Sequence, residues 1–526
     1  MLLLALMALS AVSIASKEGR CANLADSSGS EQVRVVATQY LPKGSVINHR
    51  GEGLEVTCQM NPAPPMPLNI CRGIFNITTS PSSSTIMEVW LPDESDGRIL
   101  SIGNRKFDGC IDYPQLAYGT SLGFASVGSN GGHNGTSASA LLNQPEVVSD
   151  FSWRGVQQAT LVAKAVVKQY YDREAFTSYH MGCGIGARQG LRVAQADPGL
   201  FDGVIAGAPA VNLSNIVMWY GAVLEGLFQG NASYLTKENW DLVHKELLSQ
   251  CDDLDGITDD IVEDPRRCQF ETLPLDCWIV NRENCLTTPQ TFAVERIFSP
   301  AVFGVNFSFP GAAYGAEVGL ADALQNSEPL LTLLEEWYHY VSPGNLSWRP
   351  SDYDTNDVVR SLTEAPDELQ PLTPDLKTFR DRGGRILHWH GSSDPLISVL
   401  NSDLYYDSLV NTTGDGDASN IDAFYRYFRL SGTGHCVRRG PGADYVGQDD
   451  RGQPDMMKPE ENVLLALAEW VEYGNAPETV KGVKWVDDDP GKGVELARRH
   501  CRYPYANRYR GSGDGKDEDG WVCEKL

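Results

Sequence analysis

The sequence predicts an α/β fold, and two stretches of the chain carry that prediction. Within residues 175–210 a short apolar run enters the segment GCGIG, a helical pattern follows, and a second buried apolar run closes the unit. Strand, sharp turn, helix and strand in this order are typical of a sheet covered by helices. Residues 152–171 have apolar side chains at helical spacing and are expected to form one of the covering helices.

The region before that helix also favours a sheet. Residues 97–135 alternate short apolar runs such as RILSIG with glycine-rich runs such as GSNGGHNG. This pattern predicts short strands that feed loops at one edge of the sheet.

The segment GCGIG indicates which kind of α/β fold this is. In the α/β-hydrolase fold a strained G-x-S-x-G turn lifts a serine hydroxyl above the sheet, and the N–H of the next residue faces the developing oxyanion. Both outer glycines are present here, but the central residue is Gly184. We therefore predict that Gly184 occupies the nucleophile position and that Ile185 supplies the oxyanion N–H.

Two further residues follow in the order that this fold requires. Asp394 comes just after a strand-like run at 385–390, and His435 comes just after another at 424–430. A single Asp on a loop is usually a turn cap, and a single His usually has a structural role. Nucleophile position, acid and base in this chain order nevertheless favour a catalytic interpretation.

Length and charge restrict the protein class. A chain of 526 residues can form one large core and a second domain. The apolar run at 2–15 predicts a signal peptide over residues 1–16, although its start lacks the usual positive charge. The net charge of −26 argues against nucleic acid and anionic membrane surfaces as partners. We expect a secreted, extracellular protein, and a homodimer is left open.

Cysteines and glycosylation sequons agree with secretion. The even number of cysteines, 12, and the absence of any C-x-x-C pair favour disulfides over a zinc site or free thiols. Glycosylation is expected at the N-x-Ser/Thr sequons that begin at Asn76, Asn134, Asn212, Asn231, Asn306, Asn345 and Asn411.

Three motifs of the chain, GCGIGARQG, HGSSDP and GTGHC, resemble those of the fungal tannase and feruloyl esterase family. In that family the elbow is similar to G-C-S-x-G-G-R-Q-G, with the acid in H-G-x-x-D-P and the base in G-x-G-H-C. The resemblance extends over nearly the whole mature chain, including GNRKFDGCIDY and FDGVIAGAPA. It implies a carboxylic ester hydrolase that acts on small-molecule esters of phenolic acids.

The resemblance also implies a domain organisation and a disulfide pattern. The expected architecture is an α/β-hydrolase fold with a large inserted lid domain, formed by 17–209 and 376–526 with the lid at 210–375. By the same resemblance, a disulfide clamps the nucleophile elbow to the base. The implied pairs are Cys21–Cys71, Cys58–Cys110, Cys183–Cys436, Cys251–Cys268, Cys277–Cys285 and Cys501–Cys523.

An acidic stretch in the lid, CDDLDGITDDI at residues 251–261, suggests a calcium site. Carboxylates crowded this closely repel one another unless a hard cation neutralises them. The resemblance implies ligands from the carboxylates of Asp252, Asp255 and Asp259 and from the backbone carbonyls of Ile257 and Ile261. The spacing is not that of an EF-hand, and Asp260 stands where the family usually has glycine. A solvated acidic loop is the alternative.

The chain departs from the family at several loops expected near the pocket. Besides Gly184, it has Ala187 for the second elbow glycine, Arg105 and Lys106 for paired glycines, and Arg438–Arg439 after the histidine motif. So many departures indicate a naturally divergent member more than an engineered one. Glycine relieves backbone strain at the elbow, but without a hydroxyl no acyl-enzyme can form there.

Three functional hypotheses follow. The first is an ester hydrolase of the family type that acts weakly through water activated by Asp394 and His435. The second is a base catalyst of a non-hydrolytic step in small-molecule metabolism, with His435 moving the proton. The third is a non-catalytic protein that binds phenolic esters.

Overall fold

The computed structural model describes most of the chain. The described residues are 16–24, 31–47, 58, 63–225, 227, 231–280, 283–302, 308–325, 328–342, 344–436, 440–452 and 456–525. Residues 1–15 of the predicted signal peptide, the Asn306 sequon and the pair Arg438–Arg439 lie outside these ranges. Within them, none of the helices combines the length and the apolar character that a membrane crossing requires.

The strands are numbered along the chain. They are β1 (Val33–Leu41), β2 (Ile70–Ser80), β3 (Ser83–Pro92), β4 (Arg98–Ile102), β5 (Ala125–Ser129), β6 (Thr177–Cys183), β7 (Gly203–Gly207), β8 (Ala301–Val302), β9 (Ser308–Phe309), β10 (Arg385–Gly391), β11 (Tyr425–Leu430), β12 (Thr479–Trp485), β13 (Val494–Cys501), β14 (Tyr505–Tyr509) and β15 (Trp521–Lys525).

The α-helices are numbered in the same way. They are α1 (Lys17–Asn23), α2 (Tyr113–Ser121), α3 (Pro145–Ser149), α4 (Gly155–Tyr171), α5 (Ile185–Ala196), α6 (Leu213–Glu225), α7 (Lys237–Cys251), α8 (Cys277–Val280), α9 (Thr288–Phe298), α10 (Glu317–Gln325), α11 (Glu328–Glu336), α12 (Thr355–Thr363), α13 (Lys377–Asp381), α14 (Val399–Thr412), α15 (Ala418–Asp422) and α16 (Val463–Tyr473).

Nine strands form one mixed sheet in the order β1-β2-β3-β5-β4-β6-β7-β10-β11. From β5 to β11 all neighbours are parallel, whereas β1, β2 and β3 pair antiparallel. Cys183, Gly207 and Trp389 are register partners on β6, β7 and β10. The loops after β6 and β10 therefore leave the sheet at one edge, and the loop after β11 leaves beside them.

The sheet is buried on both faces, as its continuous apolar strands predict. Helix α4 packs Ala159, Ala163 and Val167 on one face, against residues of β3 and β5. Helix α16 packs Leu464 and Leu467 against β10 and β11. The predicted α/β fold is thus confirmed.

Two element boundaries differ from the sequence-based expectation. The helix expected from residue 152 becomes a regular α-helix only at Gly155, because Asp150–Arg154 forms a π-helical turn. Its first residue, Asp150, is buried and accepts hydrogen bonds from Thr79, Ser83 and Arg154. The strand expected from residue 201 begins at Gly203.

Residues 208–384, between β7 and β10, form an insertion that includes the predicted lid, 210–375. Its apolar core contains Trp219, Trp240 and Trp337 and is continuous with Phe151 and Ile185 of the sheet domain. The insertion therefore packs directly against the start of the elbow helix α5.

The structure contains the disulfides that the resemblance implies. They are Cys21–Cys71, Cys58–Cys110, Cys183–Cys436, Cys251–Cys268, Cys277–Cys285 and Cys501–Cys523. All cysteines of the chain are used.

Candidate active site

The turn between β6 and α5 has the geometry of a nucleophile elbow. Gly184 has φ of 57° and ψ of −110°, a region that strains any residue with a side chain. The flanking glycines permit close approach of strand and helix. A Cβ on Gly182 would lie 2.3 Å from the carbonyl carbon of Gly186, and one on Gly186 would lie 2.7 Å from the carbonyl oxygen of Asn104.

The missing side chain of Gly184 would point at a histidine. A Cβ built on Gly184 lies 3.4 Å from Nε2 and 3.6 Å from Cε1 of His435, and apart from its two chain neighbours no other described residue lies within 4 Å of it. Ile185 is the first residue of α5, so its N–H has no acceptor within the helix. Both residues line the same cavity as His435.

His435 and Asp394 form a hydrogen-bonded pair. Nδ1 of His435 lies 2.7 Å from Oδ2 of Asp394, which leaves Nε2 facing the elbow. The other oxygen of Asp394 accepts hydrogen bonds from the N–H groups of Leu396 and Ile397, at 2.8 and 3.0 Å. The sequence-predicted acid and base are thus brought together beside Gly184.

The electrostatics keep the acid ionised. Burial alone raises the pKa of the Asp394 carboxyl, but the charge of His435 and hydrogen bonds from His390 and His435 outweigh it and hold the pKa below its ordinary value. The carboxylate is therefore available to stabilise an imidazolium on His435.

His390, a residue for which the sequence predicted no role, contacts the same carboxylate. Its Nε2 lies 3.1 Å from Oδ2 of Asp394 and 2.8 Å from the carbonyl oxygen of Ile397, and its Nδ1 lies 2.7 Å from Ser402 Oγ. His390 therefore positions the acid from the buried side. The sequence signal for this role is that His390 begins the motif HGSSDP, four residues before Asp394.

The Cys183–Cys436 disulfide borders the pair. It joins the residue before Gly184 to the residue after His435, with Cα atoms 6.0 Å apart. Sγ of Cys183 lies 3.6 Å from Nε2 of His435. The covalent bond thus holds the base against the elbow.

These residues line a cavity of about 270 Å³ between the sheet edge and the insertion. Most of its wall is apolar or aromatic, as expected for a small-molecule site. That part of the wall consists of Ile102, Met181, Ile205, Leu213, Ile216, Val217, Tyr220, Leu333, Trp389, Leu396 and Ile397.

The loop after β4 brings charge to the cavity. Arg105 forms an ion pair of 2.6 Å with the buried Asp112. Burial raises the pKa of the Asp112 carboxyl, and the charge of Arg105 opposes that rise. Lys106 also lines the cavity, and among the described residues it has no hydrogen bond or ion pair.

The remaining departure from the family, Ala187, lies away from the cavity. Its side chain is fully buried in the apolar cluster between α5 and β7. It therefore has no direct contact with a ligand.

The predicted calcium ligands lie in the insertion, apart from the cavity. Asp252 accepts backbone hydrogen bonds from Asp259 and Asp260, at 3.2 and 3.0 Å. One oxygen of Asp255 accepts the N–H of Ile257 at 3.1 Å. Asp260 has φ of 64°, which explains why glycine suits this position.

Two oxygens of this acidic segment lack partners. Oδ2 of Asp255 and Oδ1 of Asp259 are buried without a hydrogen bond. The other oxygen of Asp259 pairs with Arg498, which also pairs with Glu263 at 3.0 Å. Burial raises the pKa of Asp255 to about 7. One guanidinium therefore faces several carboxylates, and the orphaned oxygens fit a hard cation.

The three carboxylates of the segment do not form a tight cluster. Among the described residues, the side-chain oxygens of Asp252, Asp255 and Asp259 do not all lie within 4.8 Å of one another. Oxygens on opposite sides of Ca²⁺ are themselves about 5 Å apart. Backbone carbonyls such as those of Ile257 and Ile261 would have to complete the shell.

The sequons differ in exposure. Asn76 and Asn212 are half-buried, and Nδ2 of Asn212 donates to Asn401 at 2.9 Å. The exposed sequon residues are Asn134, Asn231, Asn345 and Asn411.

Comparison with known proteins identifies similar sequences over the whole chain. The family model described as tannase and feruloyl esterase matches residues 71–315 and 342–523. A probable feruloyl esterase B-1 of Aspergillus flavus is 38% identical over 99% of both chains. A probable feruloyl esterase B of Emericella nidulans is 38% identical over 96% of this chain and 94% of its own.

Solved structures agree with these matches. An esterase from Aspergillus oryzae superposes with a TM-score of 0.90 at 38% identity, over 97% of this chain and all of its own. Feruloyl esterase B from the same species gives 0.89 at 34% identity, with the same coverage. A tannin acyl hydrolase from Aspergillus niger shares the fold, with a TM-score of 0.70 at 20% identity over 94% of this chain and 92% of its own.

Proposed function

Because the chain belongs to the tannase and feruloyl esterase family, we propose that it hydrolyses esters of phenolic acids with a water molecule in place of the serine nucleophile. The observation that carries this proposal is the direction of Gly184. The position where a side chain would begin is open and lies 3.4 Å from Nε2 of His435, the ring nitrogen that does not contact Asp394.

A water molecule in that space would take the place of a serine hydroxyl. The cavity of about 270 Å³ leaves room for it, since a water occupies about 30 Å³. With Nδ1 of His435 bound to the Asp394 carboxylate at 2.7 Å, Nε2 is the atom that accepts the proton of this water.

The reaction then needs a single tetrahedral intermediate. As Nε2 of His435 takes the proton, the water oxygen attacks the ester carbonyl carbon, and the oxyanion forms near the N–H of Ile185. Collapse breaks the bond to the alcohol oxygen, which leaves with the proton from Nε2. The phenolic acid is released directly, without an acyl-enzyme, and the expected rate is low because water is less well positioned than a bonded hydroxyl.

The cavity walls support a phenolic acyl group as the substrate. Trp389, Met181 and Leu213 belong to a largely apolar lining that suits an aromatic ring. Tyr220 also lines the cavity, and its hydroxyl donates to the carbonyl oxygen of Leu396 at 2.6 Å. Burial, aided by the charge of Asp394, raises the pKa of Tyr220 well above its ordinary value, so it remains a neutral donor.

The test is acid release from methyl ferulate and methyl gallate by the purified protein. We expect slow hydrolysis that His435→Ala abolishes and that His244→Gln, in the insertion and outside the cavity lining, leaves unchanged. Hydroxylamine should trap no acyl group on the protein. Absence of hydrolysis by a folded protein would contradict the proposal and favour a non-hydrolytic base catalyst or a binding protein.

We further propose that the acidic segment binds Ca²⁺ through Asp252, Asp255 and Asp259 with the carbonyls of Ile257 and Ile261. The ion would neutralise buried carboxylates and tie the insertion to the C-terminal strands, where Arg498 lies. The two orphaned oxygens support this role. It is structural, because these residues do not line the cavity.

Secretion is also proposed. The disulfides and the exposed sequon residues support passage through an oxidising, glycosylating compartment. Mass spectrometry of protein from the culture medium should find an N-terminus near residue 16 or 17 and glycans on Asn134, Asn231, Asn345 and Asn411. An intact N-terminal segment on cell-associated protein would contradict secretion.

A further inference from the structure

The sulfur of Cys183, the residue before Gly184 in the elbow, contacts the imidazole of His435. It lies 3.6 Å from Nε2 of His435, within hydrogen-bond range for sulfur, and Cys183 lines the cavity. Behind the imidazole stands the Asp394 carboxylate at 2.7 Å. Sulfur, imidazole and carboxylate therefore form a continuous chain that differs from a cysteine triad only in that the sulfur is disulfide-bonded.

The surroundings favour a thiolate at this place. Cys183 lies two residues before the N-terminus of α5, a helix of 12 residues, and beside a histidine. Both features lower the pKa of a cysteine thiol and make it nucleophilic. An ordinary structural cysteine lacks such neighbours.

We propose that Cys183 is a latent nucleophile, which reduction of the Cys183–Cys436 disulfide by a dithiol converts into a Cys183–His435–Asp394 triad for acyl transfer. This inference goes beyond the proposed function. The water reaction uses the oxidised protein, whereas the cysteine reaction requires the reduced one.

The chemistry balances at each step. The dithiol is oxidised to a disulfide and gives two electrons and two protons to the protein, leaving Cys183 and Cys436 as thiols. The Cys183 thiol passes its proton to Nε2 of His435 and its sulfur attacks the ester carbonyl carbon. The alcohol leaves with that proton, and a thioester remains on Cys183.

Water completes the cycle. It gives a proton to Nε2 of His435 and attacks the thioester carbonyl, which releases the acid. The departing Cys183 sulfur recovers the proton from Nε2. No further oxidant or reductant is consumed until the disulfide re-forms.

The two cysteines are not equivalent in this arrangement. Sγ of Cys436 lies 3.5 Å from the carbonyl oxygen of Gly207, where a thiol would donate its proton to the backbone. Cys436 is also buried, whereas Cys183 is half-buried at the cavity. Only the Cys183 thiol is therefore expected to be activated by His435.

The test uses Cys436→Ser, which leaves Cys183 as a free thiol without any reductant. At pH 6, iodoacetamide should label residue 183 of this variant about tenfold faster than it labels residue 436 of the matched control, Cys183→Ser. Incubation with p-nitrophenyl acetate should add one acetyl group to residue 183, and hydroxylamine should remove it. His435→Ala in the Cys436→Ser protein should slow acylation about 10²-fold.

Two results would overturn the proposal. One is a Cys436→Ser protein that unfolds cooperatively but acquires no acetyl group on residue 183. If that variant does not fold, wild-type protein is reduced with dithiothreitol, acetylated and mapped instead. The second overturning result is then that residue 183 reacts no faster than the other cysteines. Hydrolysis by the oxidised wild type tests the water reaction separately, so either idea can fail alone.

Discussion

Asp394 and the acidic segment 252–261 both hold buried carboxylates, but only the acidic segment has buried carboxylate oxygens without a hydrogen-bond partner among the described residues. The two oxygens of Asp394 accept from Leu396, Ile397 and both histidines. Asp255 and Asp259 each keep one buried oxygen without a partner.

The pKa values of the carboxyls in these two regions are shifted in opposite directions. The pKa of Asp394 is held below its ordinary value, whereas burial raises the pKa of Asp255 to about 7. The Asp394–His435 pair is thus complete in the chain alone, whereas Gly184 provides no side chain beside it. In the acidic segment the single guanidinium of Arg498 is shared between Asp259 and Glu263, and the proposed Ca²⁺ would supply further positive charge.

Adding a hydroxyl at residue 184 should have the largest effect on the rate of hydrolysis. Gly184→Ser places a hydroxyl within reach of Nε2 of His435, so ester hydrolysis should rise about 10³-fold or more. An organophosphonate should label residue 184 of this variant and leave the parent unlabelled there. The strained turn should cost about 1–3 kcal/mol of stability.

The matched control for that experiment is the double variant Gly184→Ser with His435→Ala. It keeps the hydroxyl and removes the base, so labelling should be suppressed. If the Gly184→Ser variant folds but hydrolyses no ester, then Asp394 and His435 are not arranged to activate a hydroxyl at residue 184.

Replacing the carboxylate of Asp394 should have the next largest effect on the rate of hydrolysis. Asp394→Asn should lower hydrolysis about 10²-fold, because the histidine loses its charged partner. Thermal unfolding should show a loss of about 1–3 kcal/mol, since an amide NH2 donor replaces one of the two oxygens that accept buried hydrogen bonds.

The pH dependence of this loss has a defined sign. The folded pKa of Asp394 lies below the unfolded value of about 4, so its contribution is present in full above that pH and declines as the pH falls further. An equal loss at pH 2 and pH 7 would contradict the assignment of the charge.

Removing the proposed Ca²⁺ from the acidic segment should leave the rate of hydrolysis unchanged and lower only the stability. Chelation with EDTA should lower the unfolding free energy by about 3 kcal/mol if Ca²⁺ was present at about 100 times its dissociation constant. Added Ca²⁺ should restore the midpoint, while hydrolysis at low temperature stays unchanged. No shift with chelator would favour the solvated-loop interpretation.

The smallest effect is expected for Asp255→Asn, and its sign is opposite to that of Asp394→Asn. In chelated protein above pH 7, where a carboxyl with a pKa of about 7 is ionised, the change removes a buried charge with one unpartnered oxygen, so stability should be unchanged or about 1 kcal/mol higher. The same variant should lose the response to Ca²⁺. Destabilisation of the chelated protein by this change would mean that Asp255 is already satisfied without an ion.

Much of the site could be predicted from the sequence, because its residues lie in short segments with a local cause. Gly182 and Gly186 mark a tight strand-to-helix turn, and the motifs of Asp394 and His435 each follow an apolar run. Once those runs are parallel strands of one sheet, their carboxyl ends lie at the same edge. The fold class and the residues of the dyad followed from this.

Other features depend on contacts between distant segments, which local patterns cannot specify. Arg498 reaches Asp259 across 239 residues, and His390 turns its ring toward Asp394 from inside the sheet. Similarly, only the packing of β6 and α5 against the loop after β11 directs the open position of Gly184 at Nε2 of His435. The sequence by itself determined the fold class and the chain order of the candidate site. Tertiary packing decided which oxygens are satisfied and which atom faces the base, because side-chain contacts depend on how the whole sheet and the insertion pack together.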